Sequence, residues 1–521
     1  MAHNVLLVVV DDLRPNIAAH GSKFMVTPQM DALAASGVLF QRAYAQYSLC
    51  GPSRTSFLSG RRPDATRAWS FQNHFREGAG ADWTSLPEHF RRNGYRTLAA
   101  GKLFEKGLPP NFDAAQLDAS GTPHVKSWDR LVTPFEACHL LRNLTTNGWP
   151  HLEVGVTNVH CVPAEDECVP RAMVAGDGKT WCALDRSRLR RPLRDDVVVN
   201  ATRRHLREGA MRAPFFVAAG LHKPHLPFYF PAEFGQLYPP ASAIAPPARA
   251  TPPDGMPAAA WHTSRGAFNN SWSRPCPAPL ASVYRRAYYS AVSYADSSVG
   301  AMLAELDALR LAASTAVVLF GDHGWHLGES NLWQKMTNFE LGVRIPLVVR
   351  APWKRAAVGV RSARIVELVS LYRTLAELLE LPRPEDGVDG TSFADVFDGA
   401  AGRAQFAFSQ FAKKNVTVGR RTGPWGDCAR CAPSEIEVMG LSVRDDRWRY
   451  TEWIPWDATA LRPRWAAPTV GTELYDHKGD FGADLDAAAP DVNLAGVARH
   501  EATRRALSGV LRAHFGGTDR Y

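Results

Sequence analysis

The chain lacks any run of about 18 apolar residues, the length a helix needs to cross a bilayer, so no membrane span is predicted in its 521 residues. It also lacks a dense Lys/Arg block and an arginine-rich helix. The surplus behind its net charge of +8 is spread along the chain, which argues against nucleic acid as a partner. The opening MAHNVLLVVVDD has neither the basic region nor the small-residue cleavage site of a signal peptide, and reads instead as a buried strand starting almost at Met1. Cys428 and Cys431 form a C-x-x-C with no second such pair. That is a weak zinc signal, better read as a local disulfide. No internal repeat is present. What remains is an ordinary globular composition, 45% hydrophobic, which allows a sizeable core, with a basic surplus that suits anionic partners.

Of the eight cysteines, Cys138, Cys161, Cys168 and Cys182 cluster in one loop-rich region, a pattern that fits disulfides in an oxidising compartment. Cys50 and Cys276 stand apart. Glycosylation sequons occur at Asn143, Asn200, Asn269 and Asn415.

Through about residue 400, β-branched apolar runs alternate with helical periodicity, the signature of an α/β unit with a largely parallel sheet. Strands are predicted over 3–10, 95–100, 215–219, 316–320 and 346–349. Helices are predicted from Thr27-Pro28 to Gly37, over 86–93, 284–309 and 366–381. Residues 105–195 and 222–280 are too long for simple connectors and are expected to shape a cleft. After residue 400 the pattern becomes that of a small antiparallel α+β unit, with strands over 406–411, 441–444, 447–453 and 472–475 and a helix over 501–514. The expected domains are therefore 1–400 and 401–521.

Four predicted strands end in polar groups: Asp11-Asp12, Gly101-Lys102, His222-Lys223-Pro224-His225 and Asp322-His323. Ligands of open parallel sheets bind outside the carboxyl ends of the strands. Asp11, Asp12 and Asp322 crowded together cannot all stay ionised without a cation, so a divalent metal is expected, with His323 as a further ligand. Carboxylates suit Ca²⁺, Mg²⁺ or Mn²⁺, while the imidazole tilts towards Mn²⁺ or Zn²⁺. Asp11 and Asp12 capping a helix is the plainer alternative. Cys50 lies at a helix start marked by Pro52 and closed by Gly60. There the free amides, with Arg54 one turn on, favour an oxyanion. On these grounds Cys50 is either a low-pKa nucleophile or a buried structural cysteine.

The stretch Cys50-Gly51-Pro52-Ser53-Arg54, followed by Leu58-Ser59-Gly60, resembles the signature C-x-P-S-R-x-x-x-L-[ST]-G of the type I sulfatases. VVDDLRPN, GLHKPHLPF, DHGWHLGESNLWQK and MGLSVRDDRWRYTEW extend the similarity over most of the chain, towards members acting on the 2-O-sulfate of uronates. The resemblance implies an alkaline-phosphatase-like α/β sandwich with a mostly parallel central sheet and a small C-terminal antiparallel domain. It implies that a maturation enzyme oxidises Cys50 to formylglycine, and that Asp11, Asp12, Asp322, His323 and the modified Cys50 bind one Ca²⁺. Arg54 and Lys102 would hold the formylglycine and the sulfate. His222 and Lys335 would contact the sulfate and the leaving oxygen, His222 as general acid. One hydroxyl of the aldehyde hydrate would attack sulfur, and the other would then lose its proton to expel sulfate and regenerate the aldehyde. Family members carry a histidine where this chain has Glu105; either Glu105 acts as a base in its place, or the site is slower or repurposed. The resemblance further implies a Cys168–Cys182 disulfide, a sulfated saccharide substrate and a lysosomal or secreted location. Trp325 and Lys335 suit a sugar ring or carboxylate, and His225 and His326 read as cleft-lining or structural. The alternatives are a sulfatase for another glycan, a phosphate or phosphonate ester hydrolase of the same superfamily, and a glycan-binding pseudoenzyme.

Overall fold

The computed structural model describes residues 3–516 except 73, 78–79, 105–114, 118–122, 135–158, 163, 166–167, 213, 263–266, 386, 401–405, 416–424, 481–484 and 486–489. Its centre is a strand of nearly pure β-branched and leucine side chains, β1 (Asn4–Val10), buried along its whole length. Such a strand needs apolar cover on both faces. Leu6, Val8 and Val10 enter one core, while Val5, Leu7 and Val9 enter the other.

Eight more strands complete the sheet: β2 (Val38–Tyr44), β3 (Arg96–Gly101), β4 (Arg130–Pro134), β5 (Val159–Val162), β6 (Phe215–Leu221), β7 (Thr315–Gly321), β8 (Arg344–Arg350) and β9 (Val360–Glu367). Their order is β9-β2-β8-β7-β1-β6-β3-β4-β5. Every neighbouring pair is parallel except those made by β8, which runs antiparallel to β7 and β2. Helices α1 (Pro28–Ala35), α4 (Arg194–Ala210) and α5 (Ala278–Ala308) supply side chains to the first core. Helices α2 (Cys50–Ser59), α3 (Leu86–Arg92) and α6 (Leu371–Leu378) supply the second. The result is the expected α/β sandwich.

A second, antiparallel sheet follows: β10 (Ala407–Asn415), β11 (Trp425–Asp427), β12 (Val438–Arg444), β13 (Trp448–Asp457), β14 (Arg462–Pro463) and β15 (Gly471–Asp476). Leu507 and Leu511 of α7 (Glu501–Phe515) close its core. That core also takes in Tyr47, Leu49 and Trp69 of the first unit. Gln410 N donates to Gln46 O (3.0 Å), Ala412 N to the Tyr47 hydroxyl (2.9 Å) and Trp69 Nε1 to Gln410 Oε1 (3.0 Å). The second sheet therefore braces the segment that leads into α2.

Several elements differ from the sequence reading. Val366 and Glu367 pair with Ala43 and Tyr44 as the end of β9, so α6 begins only at Leu371. The strand β2 was not predicted. Residues 105–195, read as irregular, contribute β4 and β5 to the sheet and a Met173–Gly176/Trp181–Leu184 hairpin. Thr27 does not cap α1. Its hydroxyl accepts from Ala18 N (2.9 Å), and Asp296 of α5 accepts from Gln29 N (3.2 Å) and Met30 N (2.7 Å) instead. Both disulfides within the described residues, Cys168–Cys182 and Cys428–Cys431, match expectation. No helix is long and apolar enough to cross a membrane among the described residues.

Candidate active site

The register of the sheet assembles the site. Val10 of β1 lies opposite Leu221 of β6 and Gly321 of β7, and Gly220 of β6 lies opposite Gly101 of β3. Parallel strands in this register end together, so Asp11, His222, Asp322 and Lys102 leave the sheet at one edge. The β6–β3 approach is close: a Cβ on Gly220 would come within 1.8 Å of Lys102 O, and Gly101 has φ of +80°. Glycine at both positions lets Lys102 turn back over the edge.

Helix α2 brings Cys50 to the same edge, at its first residue. The helix stops at Gly60, whose φ of +68° is the left-handed cap that glycine favours. Ser53 Oγ donates to Asp322 O, tying the helix start to β7. Cys50 Sγ lies 3.4 Å from Asp11 Oδ1, 3.3 Å from His323 Nε2 and 2.9 Å from Lys335 Nζ. Asp11, Cys50, Asp322 and His323 present ligand atoms all within 4.8 Å of one another, every one buried.

The charges are crowded, and each carboxylate faces one cation. Lys102 Nζ is 2.7 Å from Asp11 Oδ2, and Lys335 Nζ pairs with Asp12 Oδ1. Arg54 Nε donates to Asp322 Oδ2 (2.9 Å), and its Nη1 reaches the carbonyl oxygens of Lys102 and Leu103. Burial alone would raise the Asp11 carboxyl, but Lys102, His225 and Arg54 hold it well below the usual carboxylate range. Asp12 goes the other way: burial, opposed by Lys335 and reinforced by Asp11 and Asp322, lifts it to about 8. Burial and Asp11, against Arg54, lift Asp322 to about 6. Burial, then Asp11, pushes the Cys50 thiol well above its ordinary value. That direction argues against Cys50 as a low-pKa thiolate nucleophile.

A divalent cation fits this set. Three carboxylates, an imidazole and the Cys50 position converge, and Asp12 Oδ2 is buried with no hydrogen-bond partner among the described residues. Asp12 itself sits at φ of +61°, held by its amide donating to Asp322 Oδ1 (3.0 Å) and by the Tyr288 hydroxyl donating to its carbonyl (2.8 Å).

The structure brings together Asp11, Asp12, Cys50, Arg54, Lys102, Asp322, His323 and Lys335. His222 joins them, with Nδ1 3.7 Å from Asp11 Oδ2. Burial first, then Arg194 and Lys223, lowers its imidazole well below the ordinary range. Glu105 lies outside the described residues. Trp325 is 1% exposed and packs edge-on to Phe228, so it is core rather than a sugar contact. His326 is structural, hydrogen-bonded through Nε2 to Thr337 Oγ1 (2.9 Å). His225, given a bland reading from sequence, stands 3.9 Å from Asp12 Oδ2. Asp195 carried no sequence signal. It accepts the amides of His222 (2.7 Å) and Lys223 (2.8 Å) and so anchors their loop.

The Sulfatase family model matches residues 3–381. Human iduronate 2-sulfatase is 32% identical over 91% of this chain and 89% of its own length. The mouse iduronate 2-sulfatase is 32% identical over 91% and 88%. Among solved structures, the phosphonate monoester hydrolase of Silicibacter pomeroyi shares the fold, with TM-score 0.70 and 21% identity over 98% of this chain and 95% of that one. With a family match over residues 3–381 and that identity along nearly its whole length, the chain belongs to the sulfatase family and is a sulfuric ester hydrolase similar to iduronate 2-sulfatase.

Proposed function

We propose that the chain removes the 2-O-sulfate of a uronate in a glycosaminoglycan or related acidic polysaccharide, using one Ca²⁺ and a formylglycine made from Cys50 by a maturation enzyme. The observation that carries this reading is the placement of Cys50 Sγ among Asp11, His323 and Lys335 at the start of α2. The similarity to iduronate 2-sulfatases over nine-tenths of the chain supports the substrate class.

In this reading Asp11, Asp12, Asp322 and His323 hold the metal together with the modified Cys50. Calcium would supply a Lewis acid for sulfate oxygens, and formylglycine a hydrated aldehyde as nucleophile. Arg54 fixes Asp322 and the backbone of Lys102, keeping the cluster in shape. Lys102 and Lys335 bring positive charge to where the transferring sulfuryl group gathers negative charge. His222 rests neutral in its buried position, and the arriving anionic sulfate raises its proton affinity for work as general acid. Glu105 is the proposed base in place of the family's histidine. All these residues fall within 1–400. The unit 401–521 serves as the brace behind Cys50. The Cys168–Cys182 and Cys428–Cys431 disulfides fit an oxidising compartment, in line with a secreted or lysosomal enzyme.

The test is expression in a secretory host that has the maturation enzyme, followed by mass analysis of the Cys50 peptide and sulfate release from 2-O-sulfated uronates. An aldehyde at Cys50 with turnover of these sugars is expected. Faster cleavage of an aryl phosphate than of any sulfate would move the chain to ester hydrolysis at phosphorus. A retained thiol without turnover would leave a glycan-binding pseudoenzyme.

A further inference from the structure

We infer that Asn331 is a positioning residue for Lys335: it locks the hairpin from which Lys335 reaches Cys50. This rests on Lys335 as a contact of the transferring sulfate, the role proposed for it.

Lys335 follows a short antiparallel hairpin in which His326 pairs with Gln334 and Leu327 with Trp333. From Ser330 to Met336, four non-glycine residues have positive φ: Ser330 (+55°), Asn331 (+57°), Gln334 (+66°) and Met336 (+75°). Left-handed backbone is uncommon for residues with a Cβ, and it persists only where the surroundings over-determine it. Gln334 and Met336 flank Lys335 directly, so the direction in which Lys335 leaves the chain follows from a conformation that needs outside support.

The support comes from both sides. After Lys335, Met336 N donates to Ser48 O (3.1 Å) and Thr337 N to Ser48 Oγ (3.0 Å), which in turn donates to Thr337 O (2.7 Å). That ties this end to the residue two before Cys50. Before Lys335 the anchor is Asn331, 1% exposed. Its Nδ2 donates to Ser271 O (2.7 Å) and Trp272 O (3.3 Å), and its Oδ1 accepts from Asn270 Nδ2 (3.3 Å). Its carbonyl accepts from Trp261 Nε1 (3.2 Å) and Asn270 Nδ2 (3.1 Å). Next to it, Trp333 lies flat on Phe268, with ring centres 4.5 Å apart. These partners all fall between residues 261 and 272, inside the stretch expected to shape a cleft. Asparagine visits left-handed backbone more readily than other side-chain-bearing residues, and here its amide grips a neighbouring segment as well. Lys335 ends buried, with Nζ 2.9 Å from Cys50 Sγ and paired with Asp12 Oδ1. A long, flexible side chain is held to about 0.5 Å only if its backbone is fixed first.

The experiment is a double-mutant cycle between Asn331 and Lys335 in the mature enzyme. It reads kcat and KM on a 2-O-sulfated uronate disaccharide and on an aryl sulfate, with the melting temperature of each variant. Asn331→Ala removes the amide and disfavours the left-handed backbone, and should lower kcat about tenfold or more with KM changed less than about threefold. Asn331→Gly removes the amide but keeps the backbone, and should recover part of the loss. If Asn331 acts through Lys335, adding Asn331→Ala to Lys335→Ala should lower kcat by no more than about twofold further. Should Asn331→Ala fail to fold, Asn331→Gly carries the same cycle. Losses that multiply in the double variant would make Asn331 a residue of general stability and overturn the inference, as would an Asn331→Ala enzyme with unchanged kcat. If the wild type cleaves the aryl sulfate but not the disaccharide, the substrate reading fails while the cycle on the aryl sulfate still decides the role of Asn331. If Lys335→Ala turns over as fast as wild type, or the wild type cleaves neither ester, the role of Lys335 fails and that of Asn331 falls with it.

Discussion

Two buried charge clusters in this molecule are built on opposite plans. At the junction of the two sheets, one carboxylate serves several cations. Glu340 accepts Arg444 Nε (3.1 Å), Arg449 Nη2 (2.7 Å) and the Tyr44 hydroxyl (2.6 Å), with Arg344 Nη1 3.6 Å away. Both of its oxygens are engaged. Burial would raise its carboxyl, but Arg444 and Arg449 hold it well below the ordinary range. At the sheet edge, three carboxylates crowd one point. Asp12 is lifted to about 8 and Asp322 to about 6, and Asp12 Oδ2 has no hydrogen-bond partner among the described residues. The first cluster is closed by the protein's own residues and holds two units together. The second matches each carboxylate with one cation, Lys102, Lys335 or Arg54, yet crowds three carboxylates at one point and leaves Asp12 Oδ2 without a hydrogen-bond partner among the described residues, which is what a site reserved for a further cation looks like. Burial and ionic character are the same in both, so neither property marks function. The balance of charge and partners does.

The largest effect that would break this comparison is on activity. Asp11→Asn removes the carboxylate that faces Cys50, Lys102 and Arg54, and should lower kcat/KM by about a thousandfold or more. Because Lys102 and Arg54 hold the Asp11 carboxyl below its ordinary range, its charge also stabilises the metal-free fold at neutral pH, so the melting temperature should fall as well. Glu340→Ala should act on stability alone. Stranding Arg444, Arg449 and Arg344 in a buried junction costs about 3–5 kcal/mol, with a far smaller change in turnover per folded molecule. Paired denaturation curves and steady-state rates on both variants decide the matter. A Glu340→Ala protein as stable as wild type would erase the distinction.

A second effect sharpens it. If the edge is reserved for calcium, chelation should remove activity and lower the melting temperature, and calcium should restore both. Ligand at about one hundred times its dissociation constant adds about 2.7 kcal/mol of stability. Asp12→Asn should blunt this calcium response, whereas Glu340→Ala should keep it. Thermal scans with and without a calcium-specific chelator give the answer. An identical calcium shift in the Asp12→Asn and wild-type proteins would remove Asp12 from the ligand set.

Much of the edge was legible in the linear sequence because its logic is local. Each of Asp11, Lys102, His222 and Asp322 follows directly on an apolar run, and Pro52 and Gly60 mark both ends of α2. What was not legible depends on partners distant in the chain. Val366 is a strand residue because Ala43 lies beside it. Strand β2 escaped notice because Gln41 and Arg42 interrupt its apolar pattern, although Arg42 is satisfied by Ala363 O and Asp446. His225 joins the site only because β6 delivers its loop beside Asp12. Trp325 suits a sugar contact from sequence because tryptophan serves both roles, and only its burial against Phe228 decides.

The smallest expected effect tests a third arrangement, a buried carboxylate given no cation at all. Asp296 accepts the first amides of α1 and was invisible as its cap, since Thr27 stood in the expected place. Burial, opposed by the Met30 and Gln29 amides, raises its carboxyl to about 7. Its folded pKa is thus above its unfolded value near 3.8. The stability it contributes is fully present below about pH 4 and is lost as pH rises through about 7. Asp296→Asn keeps an acceptor for Met30 N and removes the titration. Wild-type melting temperature should therefore fall between pH 4 and 7 by more than that of the variant, both measured with the metal removed. Parallel pH profiles would show that the two α1 amides stabilise the Asp296 anion enough to cancel its desolvation. Asp296 would then belong with Glu340, a buried charge whose neighbours suffice, and the contrast with Asp12 would rest on the crowding of Asp11 and Asp322 around it.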